Sequence, residues 1–108
     1  MTEISKTKVI CNDYTVMGRH FTIVFHEGMY CAVEDKYIDE AGYTTKRLTC
    51  SDLCPGLHLN DCLERVRKMV KIDALVADGS SKAEAMCKVF GYPLTAEMLA
   101  TINTFLEV

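Results

Sequence analysis

Turn signals recur at short intervals through the first half of the chain and give way to helix caps in the second. This segregation constrains the fold more than any other feature. Val9-Ile10-Cys11 and Tyr14-Thr15-Val16-Met17 flank Asn12-Asp13, whose short polar side chains suit a turn or a bulge. Gly18-Arg19 is the next turn candidate. His20 to His26 is dense in β-branched and aromatic residues, and Glu27-Gly28 reads as a two-residue hairpin turn. Met29 to Val33 returns, and the run continues through Lys36-Tyr37-Ile38. Asp39-Glu40-Ala41-Gly42 reads as a type I turn closed by a glycine bulge, with Tyr43 to Thr49 as the last strand. Sequential hairpins predict an antiparallel meander of three to four strands.

After Pro55-Gly56 the period changes. Asn60 or Asp61 can cap a helix reaching about Asp78, with Gly79 as its stop. Ser81 and Glu84 form a capping box for a short helix ending near Phe90-Gly91. Thr95 caps a last helix over about 96–107, and Leu94 and Leu99 stand at the spacing of a hydrophobic staple. The expected architecture is α+β. It is one domain over 1–108, strand-rich over 7–49 and helical over 59–108, with three helices packed on one face of the sheet.

Composition narrows the function classes. Of 108 residues, 49% are hydrophobic and 25% charged, which is too apolar for a disordered chain. The formal net charge of −3 gives no basic nucleic-acid footprint, so direct nucleic-acid binding is not expected. The start of the sequence is polar, without the apolar core of a secretory signal, and no run approaches a membrane span. A reducing cytoplasmic setting is therefore expected, in which the six cysteines act mainly as small hydrophobes.

Several constellations could carry chemistry. Cys50, Cys54, His58 and Cys62 stand at equal three-residue gaps and offer four zinc ligands. On one helix the four would lie in a row and could not converge. Pro55-Gly56 breaks such a helix, so a loop could fold them inward; the plainer alternative makes them core residues and a strand end. His20 and His26 share one face of their strand roughly 20 Å apart and cannot chelate one ion together. The sequence holds no Gly-rich phosphate loop, no G-x-S-x-G elbow and no H-E-x-x-H, so an enzyme is not expected.

On the helix from 60 to 78, Cys62, Leu63, Val66, Met69, Val70, Ala74, Val76 and Ala77 share one face. Asp73 points into that face, while Ile72 and Leu75 fall on the polar side and are candidate seam residues of a homodimer. Arg65, Arg67, Lys68 and Lys71 form a basic strip. Opposite in sign, Glu34, Asp35, Asp39 and Glu40 surround the second hairpin together with Tyr37 and Tyr43. Acids beside aromatics suit a basic protein surface.

The segments Tyr30 to Gly42, Cys62-Leu63-Glu64-Arg65-Val66, Ile72-Asp73-Ala74-Leu75-Val76 and Gly79 to Ala85 resemble small accessory proteins, of no assigned activity, encoded on mobile elements of gut Firmicutes. The resemblance covers residues 29–94 and rests on turn and cap motifs, so it carries over no site residue. It implies a context in which small acidic proteins bind host proteins, with anti-CRISPR proteins the best-known class. The expected function is a non-enzymatic binding protein of a mobile element that inhibits a host defence nuclease such as a CRISPR effector. Its binding surface would be Glu34, Asp35, Tyr37, Asp39, Glu40 and Tyr43, and no cofactor is expected. The alternative is a zinc-stabilised or nucleic-acid-associated regulator built on the Cys50–Cys62 quartet and the basic strip.

Overall fold

A computed structural model describes residues 8–45 and 48–106, with the side chains of Cys50 and Ser51 outside the description. It shows a three-stranded antiparallel sheet followed by a one-turn helix and three longer helices, an α+β fold. The strands are β1 (Lys8–Val16), β2 (Arg19–His26) and β3 (Met29–Glu34), in the order β1-β2-β3. The helices are a single turn α1 (Cys50–Leu53), the long α2 (Leu59–Ala77), α3 (Lys82–Phe90) and α4 (Ala96–Leu106). Among the described residues, no helix is long and apolar enough to cross a membrane.

Both β-turns place two residues in the left-handed region, which matches the twist of the flanking strands. Glu27 and Gly28 have φ of 51° and 80°, as the hairpin signal implies. The first turn is Met17-Gly18, with φ of 49° and 80°, one residue earlier than the expected Gly18-Arg19. Asn12-Asp13 does not divide β1 in two. The strand runs through, and its register slips between Val9 and Cys11 and again between Cys11 and Tyr14. Asp13 sits in that second bulge at φ 60°, a conformation its short side chain tolerates.

The chain groups into two compact units, residues 1–67 and residues 68–108, and the division falls inside α2. In the first unit, Phe21, Thr22, Ile23 and Val24 of β2 are all buried, so the central strand is covered on both faces. Val24 and Val33 pack with Cys31, Ile38, Leu48 and Leu53 on one of them. On the other, Tyr14 pairs across from Phe21, and Arg67 of α2 donates to the Tyr14 hydroxyl at 2.9 Å. No fourth strand forms among the described residues. The expected strand 43–49 makes one isolated bridge, Ile38 to Thr44, while Lys46 and Arg47 lie outside the description.

Gly56 ties the segment after α1 to β3 through two backbone bonds with Tyr30, of 2.8 and 2.9 Å. A Cβ at Gly56 would lie 2.7 Å from the Cys62 backbone nitrogen and 3.1 Å from the His58 carbonyl oxygen. Only glycine lets the loop approach the first turn of α2 so closely.

In the second unit, Ala83 and Cys87 of α3 and Ile102 of α4 form a buried cluster with Met86, Met98 and Leu99. The caps follow the sequence signals. Ser81 accepts from the Glu84 amide at 3.1 Å, and Thr95 accepts from the Met98 amide at 3.1 Å. Gly91 ends α3 at φ 77°. At the end of α2 the Gly79 amide donates to Val76 and the Ser80 amide to Leu75, the paired bonds of a Schellman stop. Leu94 is 55% exposed, so the staple expected with Leu99 does not cover it.

The buried stripe of α2 changes side partway along. Cys62, Val66 and Val70 continue one stripe, but Val76 and Ala77 on its extension are exposed. Ile72 is buried and Leu75 half-buried instead. Asp73, expected to point into the apolar face, is exposed.

Candidate functional site

The acidic hairpin lies in the first unit, and its backbone is heavily hydrogen-bonded. After β3 the chain makes one 3₁₀ turn, Asp35–Tyr37, closed by the Ile38 amide donating to the Asp35 carbonyl at 3.0 Å. The Asp39 amide then donates to the Tyr43 carbonyl at 2.8 Å, and the Thr45 amide to the Tyr37 carbonyl at 2.8 Å. One oxygen of the Asp39 side chain, Oδ1, accepts from both the Ala41 amide (3.0 Å) and the Tyr43 amide (2.9 Å). Gly42, at φ 85°, donates to the Asp39 carbonyl and completes the expected turn-plus-bulge.

The six residues expected to bind a partner divide into different roles. Glu34 is buried, and its carboxylate receives Arg19 Nε at 3.0 Å and Nη2 at 2.6 Å, with Lys36 Nζ 3.8 Å away. These Arg19 bonds hold the Glu34 carboxyl below its ordinary range against the opposing effect of burial. Its charge is therefore matched inside the fold, which removes the basis for counting it among exposed acids. Asp35 accepts from the Thr22 hydroxyl at 2.9 Å, and Asp39 acts as the turn clasp. Tyr37 is half-buried with Lys36 Nζ 5.1 Å from its ring centroid. Glu40 and Tyr43 are exposed near the tip. The outward surface is Asp35, Asp39, Glu40 and Tyr43, on a backbone fixed by its own bonds.

The zinc quartet divides in the same way. Cys54 and Cys62 are buried while His58 is exposed, and the Cys50 side chain lies outside the description. Burial, then the proximity of Cys54 and Cys31, pushes the Cys62 thiol up to about 12, so it stays protonated at neutral pH. Among the described residues no three His, Cys, Asp or Glu side chains form a group able to hold a metal ion.

The basic strip is largely turned to internal partners. Arg65 donates to the Pro55 carbonyl at 2.7 Å, Arg67 to Tyr14, and Lys68 Nζ stands 5.0 Å from the Phe90 ring centroid. Ile72, expected at a dimer seam, is only 8% exposed, and Leu75 is half-buried. Burial removes the reason for placing a seam at Ile72.

One polar cluster was not expected. His20 Nδ1 and the Thr15 hydroxyl both bond Asp13 Oδ1, the latter at 3.2 Å. The two bonds hold the Asp13 carboxyl below its ordinary range. The signal was present: Thr15 and His20 face each other across the Met17-Gly18 turn, but only once that turn is set at the right residue.

Comparison with protein-family models, curated proteins and solved structures found no match.

Proposed function

We propose that the chain is a non-enzymatic protein-binding module that docks the tip of its acidic hairpin on a basic protein surface. The supporting observation is the Asp39 clasp, which fixes an exposed acid, Glu40, and an exposed aromatic, Tyr43, on one rigid turn. A rigid loop loses little conformational freedom on binding. Aromatic side chains supply anchoring area, and acids complement a basic groove. The mobile-element resemblance makes a host defence nuclease the partner class to test first, through occlusion of its nucleic-acid groove.

Glu34 and Asp39 serve the fold, so the variant that tests this reading leaves both intact. Glu40→Arg with Tyr43→Ser should keep the wild-type circular dichroism and melting temperature. Cleavage by a panel of purified CRISPR effector nucleases is then measured with each protein. Wild-type protein should inhibit at least one member, with weaker inhibition at higher salt, and the double variant should not. Equal inhibition by both proteins overturns the site, and no inhibition of any member overturns the nuclease reading.

A further inference from the structure

The second unit carries an exposed aromatic patch. Phe90 closes α3 and Tyr92 follows Gly91, and their rings stack with centroids 5.8 Å apart at 21°. Phe90 is 40% exposed, Tyr92 46% and Leu94 55%. Lys68 holds its ammonium against the Phe90 ring, and exposed Lys71 lies one turn further along α2. The patch is thus a stacked aromatic pair with lysines beside it on α2.

Charge decides what can cover it. Patch against patch would bring Lys68 and Lys71 of both copies into one interface, an arrangement that like-charge repulsion opposes. A surface bearing acids and an aromatic fits instead, and the chain supplies one in Asp35, Asp39, Glu40 and Tyr43. We propose that the protein self-associates, with the acidic hairpin of one copy seated on the Lys68–Phe90–Tyr92 patch of a second copy. The inference rests on the reading of the hairpin as a docking surface and adds its regulation, because a hairpin held by a second copy is withheld from a partner. Each copy carries both halves of the contact. Two-fold closure therefore makes it twice in a dimer, and a rotation that fails to close yields larger assemblies.

The test is sedimentation velocity on the full chain across micromolar to near-millimolar concentrations, at low and high salt. Wild type should show a mass that rises with concentration and falls with salt. Tyr92→Ser, Lys71→Glu and Glu40→Lys should each weaken association by about tenfold or more while keeping the wild-type melting temperature. An equimolar mixture of Lys71→Glu with Glu40→Lys should associate again, because each reversed charge then meets its opposite. A wild type that stays monomeric throughout overturns the inference. So does a Lys71→Glu variant that associates as well as wild type or better, the result expected for patch-on-patch contact, or a crossed mixture that stays apart. Nuclease inhibition is read separately, so a monomeric wild type that inhibits through Glu40 and Tyr43 would overturn self-association and leave the binding reading standing.

Discussion

Replacing Glu34 with glutamine should cost about 2 kcal/mol at neutral pH, although the residue sits beside a surface hairpin. The carboxylate is buried and takes two charge-assisted bonds from Arg19, at 3.0 and 2.6 Å. Glutamine keeps one acceptor and turns an N–H₂ group toward a donor. Each hydrogen bond to a charged group contributes roughly 1.5–3 kcal/mol. The Arg19 side chain is 28% exposed, so water moderates the loss. Arg19→Met should cost more, about 3 kcal/mol, because it strands a carboxylate of 10% exposure whose remaining cation among the described residues is Lys36, at 3.8 Å. The double variant Arg19→Met/Glu34→Leu should recover most of that loss, since neither charge is then left alone.

The pH dependence has a definite sign. The folded-state pKa of Glu34 lies below its ordinary value of 4.5. The contribution of the pair is therefore fully present above about 4.5 and is lost as pH falls through the lower folded value. Amide exchange at Ile23 and Ala32, which pair across the buried strands, reads the stability of this unit directly. The gap between wild type and Glu34→Gln should be widest near pH 7 and close in acid. A cost under about 0.5 kcal/mol, or a gap that persists in acid, would refute the assignment of Glu34 to the fold.

Three further outcomes are expected. Gly56→Ala should destabilise by about 2 kcal/mol in chemical denaturation, because the new methyl meets backbone atoms at 2.7 and 3.1 Å that cannot swing aside; a neutral result would mean that the loop yields freely. Met17→Asn and Glu27→Asn should each stabilise by roughly 0.5 kcal/mol, since asparagine tolerates the positive φ at both turns better than the native residue. Melting temperatures that fall in both variants would argue against these turn conformations. At pH 8 iodoacetamide should label exposed Cys11 well before Cys62, whose thiol is raised to about 12, as read by mass spectrometry of the proteolytic peptides. Matched labelling rates would show that Cys62 is open to solvent.

Local signals were legible where one residue's chemistry decides the backbone. Glu27-Gly28, the Asp39–Gly42 turn, the Ser81 and Thr95 caps and the Gly79 and Gly91 stops all stand where the sequence implies. The Met17-Gly18 turn was misplaced because it puts methionine, a poor left-handed residue, at its first position and glycine at its second. The α1 turn was hidden behind the reading of Cys50 as a strand end or zinc ligand. Its signal is Thr49 and Asp52, whose side chains and amides bond reciprocally. Asp73 and Ile72 were misread for a physical reason. A single hydrophobic period does not run the length of α2, whose buried stripe shifts after Val70 to Ile72 and half-buried Leu75. For the candidate site, the hairpin and its exposed tip were readable. The division of its acids between fold and surface was not, because Arg19 reaches Glu34 from another strand.

The meander also has a kinetic consequence. β1 meets β2, and β2 meets β3, across two-residue turns, so each pairing closes a loop of minimal length and little chain entropy. Short hairpins form within about 1–10 μs, far faster than pairings between distant segments. The three strands should therefore assemble as a local nucleus before the Cys54–Gly56 loop docks on Tyr30. Until Leu48 and Leu53 pack on Val24 and Val33, that face of the sheet has no cover, and the bulged edge of β1 disfavours in-register pairing with another chain at the stage when such pairing is most dangerous.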